Sequence, residues 1–257
     1  MEIGYIILFV ILGAAIGSFL NRVIDRLPAG KSIAYTPSSC DACQHHLSWP
    51  DLFPVFSYIF LRGRCRYCKS KIPQRVFWVE LGTGLLTAGL FWQFGWKPIL
   101  PVTIVYSAVL ITIAVIDLNQ QLILNKITYP FLLIALIVNF FVPKLFSWHN
   151  LLFGLLGGAV GFLILFLPAV IYRKGMGLGD VKMAALVGLM TGFPNVIGAV
   201  FGGIILGGLV AIILLVFKIK SRKEGIPFGP YLSLATIFTF FCGSRIIHWY
   251  LYLAHFA

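Results

Sequence analysis

Residues 3–20 read IGYIILFVILGAAIGSFL, a run without a single charged side chain. A helix needs about 20 apolar residues to cross a hydrocarbon layer roughly 30 Å thick. The run follows Glu2 rather than a basic segment, and it leads into GSFLN rather than a small-residue cleavage site, so it reads as a retained span and not as a removable signal. Further apolar runs follow at 77–95, 98–116, 123–142, 150–172, 181–192, 195–217 and 228–252, the sixth short and limited by Pro194. Backbone polar groups in lipid must find partners within their own segment, so runs of this kind are helices. Of the 257 residues, 60% are apolar and 11% charged, against about 25% charged in a soluble domain. The expected fold is an all-α polytopic membrane protein with about eight transmembrane helices. Its predicted domains are a first helix at 1–20, a soluble cytoplasmic loop domain at 21–76 and a membrane domain at 77–257. Gly154, Gly157, Gly158, Gly161, Gly202, Gly203, Gly207 and Gly208 suit close helix packing, and Gly203 with Gly207 has small-xxx-small spacing.

The basic residues predict the orientation. Seventeen of the 20 Lys and Arg fall on one side of the alternating eight-span pattern, nine of them between the first two runs. Only Lys97, Lys144 and Arg245 fall on the other side. The positive-inside rule then puts the 21–76 loop and the stretch GMGLGD (175–180) in the cytoplasm, with both termini outside. The net charge of +12 is accounted for by a face that meets anionic lipid, and it calls for no nucleic acid.

The loop carries Cys40-x-x-Cys43 and Cys65-x-x-Cys68. Two such pairs in a reducing compartment favour tetrahedral zinc over disulfides. Four thiolates close the coordination sphere, so this zinc would organise the loop rather than catalyse. Arg64, Arg66 and Lys69 lie close by in sequence to offset the negative charge, while His45 and His46 read as loop surface. Cys242, in the last run, reads as a small buried apolar residue.

Three carboxylates fall where lipid disfavours them: Glu80, Asp117 and Asp180. Asp117 ends the third run and Asp180 precedes the sixth, so both are expected at cytoplasmic helix ends, facing each other. Two close carboxylates in a low-dielectric setting can share one proton. One then activates a water while the other polarises a scissile carbonyl. Each also has a plainer reading: Asp180 as the cap of its helix, and Asp117 as the partner of Lys126 or Lys182. Glu80 is read as pairing with Arg75. Other hydrolase chemistries lack their residues, since there is no HExxH and no GxSxG.

The chain resembles the type IV prepilin peptidases, membrane aspartic proteases that also N-methylate the mature pilin. The resemblance runs through GSFLNRVIDRLP (17–28), the two CxxC pairs, IDLNQQLILNKITYP (116–130), GMGLGDVKM (175–183) and PFGPYLSLA (227–235). It implies catalytic roles for Asp117 and Asp180, the latter closing a GxGD with Gly177 and Gly179. Lys182 and Asn125 are the expected supporting residues. It further implies residence in the bacterial inner membrane, prepilin or pseudopilin substrates for pili or protein secretion, and S-adenosylmethionine as methyl donor. No Rossmann-type G-x-G-x-x-G is present to hold that donor. The segment Gly17–Asn21 with the cysteine loop is the expected region for methyl transfer, with Asn21 read as a cap of the first helix. The family often has IPD after the first aspartate, where this chain has Ile123, Leu124 and Asn125, and it often has CPxC where this chain has CDAC. Two alternatives remain open at this point: a peptidase without methyl transfer, and a proton-coupled transporter.

Overall fold

The computed structural model describes residues 2–33, 38–40, 42–141, 148–171, 177–219 and 225–255. Asp41, Lys144, Arg173, Lys174, Gly175, Met176, Lys220, Arg222, Lys223 and Glu224, all used in the sequence reading, lie outside them. Nine α-helices occur among the described residues: α1 (Glu2–Arg26), α2 (Phe56–Phe60), α3 (Gln74–Phe94), α4 (Ile99–Gln120), α5 (Asn125–Phe141), α6 (Trp148–Ile171), α7 (Leu178–Thr191), α8 (Asn195–Val216) and α9 (Gly229–His255). Eight of them coincide with the eight apolar runs. The ninth, α2, is short and lies in the loop beside a 3-10 turn at Trp49–Leu52. Four helices, α1, α4, α6 and α8, are long and apolar enough to cross a membrane. At 14 residues, α7 spans only about 21 Å.

The chain divides into two compact units, Met1–Thr112 and Ile113–Ala257, with the boundary inside α4. In the first unit α1 and α3 pack antiparallel along a glycine seam. A Cβ at Gly13 would lie 2.7 Å from the Thr83 carbonyl, and one at Gly17 would lie 2.7 Å from the Glu80 Cα. Only glycine permits that approach. Thr83 and Thr87 return their hydroxyls to the carbonyls one turn back, at 2.6 and 2.7 Å, so neither hydroxyl is stranded in the seam. Phe9 and Phe91 stack at 4.3 Å and Trp96 caps the pair, closing one end of this helix pair with aromatic surface. The first helix runs six residues past its predicted end, to Arg26. Asn21 therefore sits inside α1 and is not its cap.

In the second unit α7 is the hub, packed against α5, α6, α8 and α9. Val181, Met183, Ala184, Leu186 and Val187 are all essentially inaccessible. The α6 glycines admit it: Gly157 meets the Gly188 carbonyl and Gly161 meets the Ala184 carbonyl, in backbone-to-backbone approach. Asn139 of α5 donates to the Leu189 carbonyl at 2.9 Å. Gly203 and Gly207 of α8 seat Leu232 and Tyr231 of α9, the packing role their spacing predicts. Outward faces carry exposed Leu133, Phe140, Leu167, Ile205, Ile212 and Val216. Apolar exposure on this scale suits contact with lipid.

Candidate active site

The second unit brings three helix ends together around Asp117. This residue lies near the end of α4, is 4% exposed, and accepts a 2.8 Å hydrogen bond at Oδ2 from the Gly229 backbone N–H at the start of α9. Helix amides carry partial positive charge at an N-terminus, so α9 points a favourable dipole at the carboxylate. Asp180 lies in the first turn of α7, half-buried, within Coulombic reach of Asp117. The two aspartates, expected to face each other, come close enough to interact electrostatically.

The cap assignment for Asp180 does not survive. α7 begins at Leu178 with Gly177 at the cap position, and no side chain caps it. Asp180 is the third residue of the helix, and its carboxylate reaches back to the Gly177 backbone. Nor do the lysines take the aspartates. Neither carboxylate has an ion pair among the described residues. Lys182 donates instead to Asn125 Oδ1 at 3.1 Å and lies 5.1 Å from the centre of the Tyr129 ring.

The turn between α4 and α5 ties these parts together. Gly179 is pressed against Ile123, where a Cβ would lie 3.1 Å from the Ile123 Cβ. Gln121, held at φ 52°, donates through Nε2 to the Gly225 carbonyl at 2.9 Å. Asn125, Gly179 and Lys182 thus meet at one place, and Gly177 leads into it. Gly229 is the residue that sequence reasoning missed. It stood inside a quoted motif, but glycine has no chemistry of its own to mark it, and its role appears only when α4 and α9 are adjacent. The transporter alternative fits poorly, because both carboxylates sit at helix ends rather than in the middle of broken helices.

Glu80 corrects a second expectation. It does not pair with Arg75, which binds Asp25 at 2.7 and 2.8 Å. Five residues apart on a helix, the two side chains point about 140° away from each other. Glu80 accepts the Val55 N–H at 2.7 Å instead. Asn21 donates to the Val76 carbonyl at 3.0 Å and joins α1 to α3.

In the loop of the first unit, the sulfurs of Cys40, Cys43, Cys65 and Cys68 lie within 4.8 Å of one another. Each pair forms the same knuckle. The amide of the first cysteine donates to the residue five positions on (Cys40 to His45, Cys65 to Ser70), and the fifth residue, Gln44 or Lys69, turns into positive φ. Isolated bridges Ser39–His46 and Arg64–Lys71 close the two knuckles alike. The Cys43 amide and the Ser70 hydroxyl pull Cys40 down to about 6, and the Ser70 hydroxyl lowers Cys68. At Cys43 the His45 amide pulls downward, yet desolvation and the Cys68 and Cys40 sulfurs push it up to about 11. The Cys40–Cys68 sulfur separation of 3.7 Å matches the edge, about 3.8 Å, of a tetrahedron with 2.3 Å metal–sulfur bonds. The donor set therefore fits a metal ion. Arg66 bonds Asp51 at 2.7 Å, and the His45 ring lies against Tyr67 at 3.8 Å. Cys242 is half-buried.

Two family models match the chain in succession. The bacterial Peptidase A24 N-terminal domain matches residues 11–94, and the Type IV leader peptidase family matches residues 104–212. A Bacillus subtilis (strain 168) protein named prepilin leader peptidase/N-methyltransferase is 33% identical over 247 residues, covering 95% of this chain and 97% of that protein. Its namesake in Pseudomonas putida is 33% identical over 275 residues, covering 96% and 94%, and one in Pseudomonas aeruginosa is 29% identical over 280 residues, covering 99% and 96%. No solved structure matches the chain significantly. Relatives this similar along nearly their whole length decide the assignment: the chain belongs to the type IV leader peptidase family.

Proposed function

We propose that this protein is a membrane aspartic endopeptidase that removes the leader of prepilins or pseudopilins and N-methylates the new amino terminus. The observation that carries the peptidase reading is buried Asp117 beside Asp180, at helix ends, with no cation neutralising either among the described residues. One carboxylate takes a proton from a water, which attacks the scissile carbonyl carbon. The protonated partner donates to the carbonyl oxygen and then helps return a proton to the leaving amine. The pair acts as one coupled unit with a single shared proton. The Gly229 N–H keeps Asp117 turned toward the reacting atoms, and the tight Gly179–Ile123 contact holds the α7 end in register.

The four cysteines are the ligands for a structural zinc ion, which supplies cross-linking and no chemistry. S-adenosylmethionine is the methyl donor. No strand outside isolated bridges occurs among the described residues, so a Rossmann turn is not what would hold it, and no step here runs through it. The protein resides in the bacterial inner membrane, with its cysteine loop domain at 21–76 and the ends bearing Asp117 and Asp180 on the cytoplasmic side. The peptidase domain is 77–257. A substrate with a basic leader ending in glycine before an apolar helix would present its scissile bond at that face.

The test uses Asp117→Asn and Asp180→Asn separately, assayed for leader removal in membranes. Each should slow cleavage by about 10²–10⁴-fold. Normal cleavage by either variant overturns the dyad. Mass spectrometry of the product decides methylation, since an unmodified amino terminus would reduce the function to peptidase alone.

A further inference from the structure

In the first unit, the α1–α3 seam holds buried acceptors in excess of donors. Glu80 is 5% exposed, with no ion pair among the described residues. Its Oε2 takes the Val55 amide at 2.7 Å, and the Ser18 hydroxyl is also within hydrogen-bonding reach. Gly17 lies directly on the Glu80 backbone. One turn further along α1, Asn21 is 6% exposed, spends its Nδ2 on the Val76 carbonyl, and leaves Oδ1 buried without a partner. Val76 is one turn before Glu80 on α3, so Asn21 and Glu80 share one stretch of the seam. The nearest cation in sequence, Arg75, is held by Asp25. Val55, whose amide reaches Glu80, sits at φ 64°, a costly conformation for a β-branched residue. Such strain persists where the surroundings enforce it.

A buried carboxylate and a buried amide oxygen without a donor are each expensive. A compact group with positive charge and several N–H donors satisfies both, and an alkylammonium has that chemistry. We infer that Glu80 and Asn21 form a seat for a primary ammonium group, the newly exposed α-ammonium of the cleaved substrate. The inference rests on the N-methylation proposed above. Glu80 holds the ammonium and takes one of its protons, becoming the neutral acid, while the nitrogen keeps its electron pair as a free amine. Asn21 Oδ1 accepts a second N–H and positions the nitrogen. The Val55 amide fixes the other carboxylate oxygen.

The full-length protein in nanodiscs tests this with two readouts. The first is methylation against leader cleavage in Glu80→Gln. Glutamine keeps an oxygen for the Val55 amide but cannot take the proton. Methylation should fall by at least about 10²-fold with cleavage within about twofold. The second readout is binding of a short apolar peptide with a free α-amine against its N-acetylated twin. The wild type should prefer the free amine about tenfold, and Glu80→Gln should lose that preference. Asn21→Ala should weaken the preference without moving cleavage. Unchanged methylation and unchanged amine preference in Glu80→Gln overturn the seat and leave Glu80 as a brace for Val55. If the wild type cleaves but never methylates, the methyltransferase reading falls, and the peptide pair alone decides whether the seat exists.

Discussion

At the scale of single residues, the site depends on one position without a side chain. A Cβ at Gly229 would lie 2.8 Å from Asp117 Oδ2, on the path of the hydrogen bond from its own N–H. Gly229→Ala should therefore displace Asp117 and lower kcat/KM for leader cleavage by about 10²-fold, the usual result of a catalytic group moved by about 1 Å. An undiminished rate would show that the α9 amide does not hold the aspartate. Asn125→Asp is the contrasting case. It restores the carboxylate that the family often carries and turns an exposed 3.1 Å hydrogen bond to Lys182 into an ion pair. Exposed pairs contribute about 0–1 kcal/mol, so cleavage should stay within about fivefold. A larger change would mean that the charge is felt at the dyad. Asp117, Asp180 and the four cysteines were legible in the sequence, because an acid or a patterned thiol stands out in apolar surroundings. Gly229 and the Val55–Glu80 bond were not. The first is chemically silent, and the second joins residues that no local rule brings together.

At the scale of elements, positions followed from apolar runs, but ends did not. Charged residues close a hydropathy window without ending a helix, which is why α1 continues through Arg22 and Asp25 to Arg26 and α7 starts three residues before its predicted limit, taking in Asp180. What apolarity cannot show is how close two helices come, and that is written in the glycines. Gly188→Val would drive a branched side chain into the Gly157 carbonyl, whereas Gly198→Ala adds a methyl to open space. The first should destabilise the detergent-solubilised protein by about 1–3 kcal/mol, lowering Tm by several degrees, and the second should leave Tm unmoved. Equal effects would remove close α6–α7 packing as the reason for these glycines. The two cysteine knuckles make a separable prediction. The wild type should purify with about one zinc ion per chain, and Cys40→Ser should lose most of it and open the loop to protease. A metal-free wild type would overturn the zinc assignment.

At the scale of the whole molecule, the membrane class was plain from composition, and the proposed orientation rests on counting. Helices α5 and α6 separate the end of α4 from the start of α7, and α7 and α8 separate that start from the start of α9. An even number of crossings in each case returns the chain to one face, which is where Asp117, Asp180 and Gly229 must meet. That parity holds only with α7 as a crossing, although its roughly 21 Å is less than a bilayer core. It can be one, because α7 is surrounded by other helices and its backbone polar groups meet protein rather than lipid. In the proposed eight-span topology the nine basic residues between α1 and α3 belong to that face, and seventeen of 20 Lys and Arg in total. By the positive-inside rule, the orientation proposed here takes that face as cytoplasmic. Trypsin added to inside-out vesicles should therefore cut between α1 and α3, at exposed sites such as Lys31 or Lys69, and right-side-out vesicles should protect them. If right-side-out vesicles are cut there instead, the orientation is reversed. The aspartates would then face away from the compartment in which a leader peptide is made, and the proposed substrate could not reach them before export.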